Sequence, residues 1–140
     1  MSFENMKSMS QEAIHERACM LMYHFTSQEI KQIQNVARMT GITDCICLSA
    51  CHAENTIKNI LDGEMTEKET EALKEKALIL NNISTTRMNA FIEGLKKCRI
   101  KRPLIAVVTE TSIHWPLKEL LQHLVTERAA VRSGDFSGRA

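Results

Sequence analysis

The sequence predicts an α/β fold: a four-stranded, mainly parallel sheet with helices on both faces, built from two βαβα repeats. Three observations lead there. Apolar runs of strand length alternate along the chain with stretches of helical apolar periodicity. The order strand, helix, strand, helix is written twice, over residues 18–61 and 76–127, around a charged joint at 62–75. The first strand of each half runs into a hydroxyl-led helix start, Thr26-Ser27 or Ser84-Thr85, and these starts lie 58 positions apart.

Each element has its own signal. Residues 1–17 are polar and methionine-rich, and Ser10 to Arg17 has the composition of a short helix without enough apolar positions to fix a face. Ala18 to Phe25 is a continuous apolar run, which suits a strand covered on both faces. Thr26-x-x-Glu29 is a capping box that opens a helix burying Ile30, Ile33, Val36 and Ala37. Gly41 supplies the left-handed residue that ends it, and Asp44 to Ser49 is the second strand. Glu54 to Leu61 is the second helix, closed by Asp62-Gly63, and Thr66-x-x-Glu69 is suited to cap a short exposed helix that buries only Ala72 and Leu73.

The second half opens with a strand at Lys76 to Asn81. Met88, Phe91, Ile92 and Leu95 then recur as one helix face, with Lys96, Lys97 and Arg99 where cations suit the helix dipole. Pro103 stands at the head of the fourth strand, Leu104 to Val108. The last helix starts near Trp115 with Pro116 in its first position, and a stripe of Leu117, Leu120, Leu121, Leu124 and Val125 follows. A single domain over 18–128 is expected, with a flexible tail at 129–140. The strand order 2-1-3-4 would set the first strands of the halves side by side, and a sheet with one antiparallel strand is the alternative.

Residues 76–127 resemble a bacterial family known only as domain of unknown function 3783. The resemblance rests on Leu78-Ile79-Leu80, the helix end from Leu95 to Ile100, the run Arg102-Pro103-Leu104-Ile105-Ala106-Val107-Val108-Thr109, and Trp115 followed by Leu117-Lys118-Glu119-Leu120-Leu121. The strand followed six residues later by tryptophan is its most specific part. The resemblance covers a little over a third of the chain. It implies a fold-sized unit and a bacterial cytoplasmic setting, and it implies no catalytic residues.

Composition narrows the function classes. The formal charge of +1 gives no global field toward nucleic acid or a membrane surface. No apolar stretch approaches the length of a membrane span, and Met1 to Arg17 is too polar for a signal-peptide core, so a cytoplasmic location is expected. The odd count of five cysteines, with Cys19, Cys45 and Cys47 inside apolar runs, points to reduced thiols. No glycine-rich phosphate loop follows any strand, and no cofactor is implied.

Ligands of open parallel sheets bind beyond the carboxyl ends of the strands. That rule selects His24, Ser49, Cys51, His52, Asn81, Asn82, Thr109, Glu110, Thr111, His114 and Trp115, and among them Asn81, Asn82, Thr109, Thr111 and Trp115 are the ligand-binding candidates: two amides, two hydroxyls and a stacking face. Loop shaping and helix capping account for the same residue types without a ligand. Cys45-x-Cys47-x-x-x-Cys51-His52 invites a metal test, and Cys51 and His52 are its candidates; a strand, however, holds side chains at i and i+2 parallel rather than convergent. Cys51 beside His52 is also the only arrangement suggesting thiol catalysis, although neighbouring positions do not supply an oriented base or an oxyanion site. The basic cluster Lys96, Lys97, Arg99, Lys101 and Arg102 lacks the interleaved aromatics of a single-strand binder, and nucleic acid is not the expected partner.

The sequence therefore points to a non-enzymatic interaction or self-association module, with a homodimer or another protein as partner. The alternative is a small-ligand-binding regulatory domain at the strand ends, and a metal or thiol enzyme stands third.

Overall fold

The computed structural model describes residues 15–69, 74–98, 100 and 103–132. Strands β1 (Cys19–Tyr23), β2 (Cys45–Leu48), β3 (Ala77–Asn81) and β4 (Leu104–Val107) form one sheet in the order β2-β1-β3-β4. Helices α1 (Ser27–Met39), α2 (Ile57–Asp62), α3 (Thr85–Lys96) and α4 (Leu117–Arg132) cover it, and short 3-10 turns at Ala50–His52 and Ser112–His114 follow β2 and β4. Among the described residues no helix is long and apolar enough to cross a membrane. The polar segment up to residue 14, the helix expected around Ala72 and Leu73, the basic residues Arg99, Lys101 and Arg102, and the tail from Ser133 lie outside the described residues.

The sheet is mixed, which corrects the expectation of a mainly parallel one. β1 pairs in parallel with β2, and β3 with β4, but β1 and β3 meet antiparallel with Leu21 opposite Ile79. The reason lies in crossover handedness. A right-handed strand-helix-strand unit sends its helix to one face. Two such units joined back to back at β1 and β3 can place both crossover helices on the same face only if their central strands run in opposite directions. Both α1 and α3 do lie on one face, packing Ile33, Ala37, Phe91 and Leu95 against Met20, Met22, Leu78 and Leu80. Helices α2 and α4 cover the other face, where Ile57, Ile60, Leu117 and Leu121 pack on Leu21, Tyr23, Ile79 and Leu104.

Local chemistry explains where the helices begin and end. Thr26 Oγ1 accepts the Glu29 N–H at 3.2 Å while Glu29 Oε1 accepts the Thr26 N–H at 2.9 Å, the reciprocal capping box. Ser84 Oγ accepts the Arg87 N–H at 3.2 Å, and Thr56 Oγ1 accepts the Asn59 N–H at 3.1 Å. Gly63 ends α2 with φ 78°, a left-handed conformation that a side chain would strain. Helix α2 starts three residues later than Glu54, because residues 50–52 are wound into the 3-10 turn. Thr66 to Glu69 are irregular rather than helical, and the Thr66 hydroxyl donates to Asn55 Oδ1 instead of capping. Pro116 precedes α4 and forms an isolated bridge with Thr56. There the Ile57 N–H donates to the Trp115 carbonyl at 3.0 Å and the Leu117 N–H to the Asn55 carbonyl at 2.8 Å, tying the starts of α2 and α4 together. Helix α4 continues to Arg132, past residue 128 where the sequence places the domain end.

Two ion pairs fasten strand entrances. Arg17 reaches Asp44 with Nε and Nη2, at 2.7 and 3.1 Å, and Lys76 Nζ donates to Glu29 Oε2. The Lys76 ammonium, with the Thr26 N–H, holds the Glu29 carboxyl below its ordinary range, and the Arg17 guanidinium does the same for Asp44. A carboxylate whose folded-state pKa is depressed contributes stability in full above its unfolded pKa, about 4.3 for glutamate, and loses that contribution as pH falls through the folded value. Lys76→Met is therefore expected to lower stability at neutral pH and to make it decline less on acidification, as read by urea midpoints across the acid range.

Candidate functional site

Because β1 and β3 run in opposite directions, the carboxyl ends of the strands fall at two opposite ends of the sheet. Asn81, Asn82 and Thr109 lie at the end formed by β3 and β4, while Cys51 and His52 follow β2 at the other. A single ligand site at the carboxyl ends of all four strands has no place in this topology.

The polar groups offered by Asn81, Asn82 and Thr109 bond within the chain. Asn81 is 3% exposed, and its Nδ2 donates to the carbonyls of Arg17 at 2.7 Å and His15 at 3.3 Å. Asn82 takes a left-handed φ of 57° and donates to the Glu16 carbonyl at 2.9 Å. The two amides thus hold the chain as it enters β1, satisfying backbone carbonyls beside the core. The Thr109 N–H donates to Ser112 Oγ at 2.9 Å and the Ser112 N–H returns to Thr109 Oγ1 at 3.0 Å, so this pair shapes the turn after β4. Thr111 is exposed on that turn. Trp115 packs against the α2 and α4 core and stacks on His123, ring centroids 4.3 Å apart and planes 24° from parallel.

The opposite end brings together Cys51, His52 and Glu67, whose ligand-type atoms all lie within 4.8 Å of one another. Cys51 Sγ is 3.8 Å from either ring nitrogen of His52, and His52 Nε2 is 3.6 Å from Glu67 Oε2. The buried Asn55 makes the juxtaposition. Its side chain donates to the Thr66 carbonyl at 2.7 Å and accepts the Thr66 N–H at 2.9 Å, while the Lys68 N–H donates to the Cys51 carbonyl at 3.0 Å. Both neighbours of Glu67 are therefore pinned to the 3-10 turn that carries Cys51 and His52. Glu67 is not legible as a site residue in the sequence, since it stands in a charged joint that solvation alone explains. The buried Asn55 was the one available signal, and an asparagine in a loop does not announce its burial.

The protonation of His52 follows from its neighbours. The Ser49 N–H points at Nδ1 from 3.1 Å, so Nδ1 accepts and the ring proton sits on Nε2, facing Glu67. Both nitrogens are then engaged, and the imidazole as it stands has no lone pair to take the Cys51 proton. In this tautomer Cys51 and His52 do not form the thiol-to-imidazole hydrogen bond that a cysteine nucleophile uses. Among the other cysteines, burial pushes Cys19 and Cys45 up to about 11, which favours the thiol over the thiolate at neutral pH. Cys47 is exposed, contrary to its core-like sequence context, because β2 is an edge strand.

The other edge strand borders an apolar cleft. Ile92, Leu95, Cys98, Ile100, Pro103 and Ile105, with Lys96 as the one charged member, line an open groove of about 260 Å³ between the end of α3 and β4. Val107, in β4 itself, is 47% exposed.

No curated protein and no solved structure matches the chain. Residues 76–131, which run from the residue before β3 almost to the end of α4, match the family described as Domain of unknown function (DUF3783).

Proposed function

We propose that the protein is a non-enzymatic interaction module that associates with a second copy of itself along β4. The observation that carries this reading is the character of that edge. Sheet edges are ordinarily blunted by charge, proline or a bulge within the strand, because their open N–H and C=O groups invite another strand. The β4 sequence Leu104-Ile105-Ala106-Val107 contains neither a charge nor a proline, and Val107 projects to solvent. The apolar groove beside it would receive side chains of the added strand, as in strand-addition complexes, where main-chain bonds give affinity and pockets give selectivity. The small-ligand alternative loses support from the internal engagement of Asn81, Asn82 and Thr109.

The two halves are proposed to be duplicated βαβα units. The order strand, helix, strand, 3-10 turn, helix occurs in each, and the left-handed residues His24 and Asn82 end β1 and β3 at matching positions. The proposed setting is a bacterial cytoplasm, in keeping with five free cysteines.

Sedimentation of the purified chain across a range of concentrations tests the association. The mass is expected to rise toward that of two chains, and Val107→Lys is expected to hold it at one while leaving the circular dichroism unchanged. A wild-type mass of one chain at every concentration would remove the reading.

A further inference from the structure

We propose that Cys51, His52 and Glu67 form a binding site for a zinc-type divalent cation, with a fourth position left to water. Tetrahedral zinc holds cysteine sulfur at about 2.3 Å and histidine nitrogen or carboxylate oxygen at about 2.0–2.2 Å, which sets neighbouring ligand atoms about 3.4–3.6 Å apart. The separations here are 3.8 Å from Cys51 Sγ to His52 Nε2 and 3.6 Å from Nε2 to Glu67 Oε2. Cys51 Sγ lies equally far, 3.8 Å, from Nδ1 and Nε2, and the three ligand atoms are within 4.8 Å of one another. Binding therefore requires the Cys51 side chain to turn away from Ser49 Oγ, 3.2 Å distant, and carry the sulfur by more than about 1 Å toward the Nε2 lone pair.

The donor set suits the ion in kind and in charge. A thiolate, an imidazole and a carboxylate are ligands of zinc rather than of magnesium or calcium, which take oxygen donors. One thiolate and one carboxylate together neutralise a divalent cation. The two segments that supply the ligands are held together before the ion arrives. Glu67 comes from a separate segment, and the bonds from Asn55 to Thr66 and from Lys68 to the Cys51 carbonyl hold that segment against the turn. Glu67 itself is 75% exposed and makes the site accessible from solvent, while His52 is 14% exposed beneath it.

Loading has a defined proton balance. Cys51 releases its thiol proton to solvent as the sulfur binds the ion. His52 gives up the proton on Nε2, which becomes a ligand, and takes one on Nδ1, so the ring stays neutral and one proton leaves overall. Nδ1 can then no longer accept the Ser49 N–H. A metal bond to imidazole is far stronger than the amide hydrogen bond it displaces, and the loss leaves a mark on a named amide. Affinity rises with pH because ligand protons compete with the ion.

The test is a titration of the full-length, reduced chain with cobalt(II) as an optical probe, followed by displacement with zinc. Wild type and Cys47→Ala are expected to develop a thiolate-to-cobalt charge-transfer band that saturates near one equivalent, and zinc is expected to abolish it. Cys51→Ala is expected to lack the band. Glu67→Gln, a change at an exposed side chain that the fold tolerates, is expected to weaken binding at least about tenfold. The Ser49 amide resonance is expected to shift on zinc addition and to stay in place on magnesium addition. Absence of the band from wild type, its survival in Cys51→Ala, its loss in Cys47→Ala, or unchanged affinity in Glu67→Gln would each overturn the site.

Discussion

Ile79→Ala is expected to lower the unfolding free energy by about 2–5 kcal/mol, the range for truncating a buried aliphatic side chain to alanine. Ile79 is 0% exposed and sits at the centre of the sheet, opposite Leu21 in β1 and Ala106 in β4. Its side chain belongs to the core formed with α2 and α4. The surrounding side chains are held by strands on two sides and helices above, so they collapse little into the space, and the cavity cost adds to the lost transfer energy. Domains of this size are stable by about 5–15 kcal/mol, so the loss is a large fraction of the total. Equilibrium urea unfolding followed by circular dichroism measures it. A shift of the midpoint corresponding to less than 1 kcal/mol, on the order of one hydrogen bond, would show that the centre of the sheet is not the stability core described here.

The second large effect turns on a sign. Gly94→Ala places a residue of better helix propensity inside α3, which by itself stabilises by about 1 kcal/mol. A Cβ at position 94, however, would stand 2.8 Å from Val36 Cγ1 on α1. Valine is stiff about χ1 and cannot swing its methyl away. Separation of the helices then costs about 1–3 kcal/mol as overpacking, and the substitution is expected to destabilise. In a Val36→Ala background the obstruction is gone, and the same change is expected to stabilise by about 1 kcal/mol. A double-mutant cycle on urea midpoints reads the coupling. Additive effects would mean that α1 and α3 do not touch at this point.

Gly94 also shows how the fold was and was not legible. Its place in a helix is plain from the periodicity of Met88, Phe91, Ile92 and Leu95, yet that pattern does not say which helix packs on it. The face shared by α1 and α3 is a tertiary fact, and it carries the sheet direction with it. The apolar runs of β1 and β3 could not decide that direction, because a central strand covered by helices on both faces is equally apolar whether its neighbour is parallel or antiparallel. All five residues of each are buried, as such runs imply. The same kind of run misleads at β2, where Cys-Ile-Cys-Leu reads as core but lies at an edge that leaves Cys47 exposed.

The candidate sites divide along the same line. Asn81 and Asn82 were visible as polar residues ending a strand, but the partners that occupy their amides, the carbonyls of residues 15–17, are remote in the chain. Cys51 and His52 were visible as neighbours, whereas Glu67 joins them only through the bonds that Asn55 makes across the loop.

Hydroxyl caps, apolar periodicity and strand-length runs act within a few residues, so the sequence by itself determined the number, kind and order of the principal strands and helices. Strand direction, edge exposure and the meeting of Cys51, His52 and Glu67 depend on which surfaces cover each other. Those were decided only by the tertiary structure, because such contacts join residues far apart in the chain and leave no local pattern.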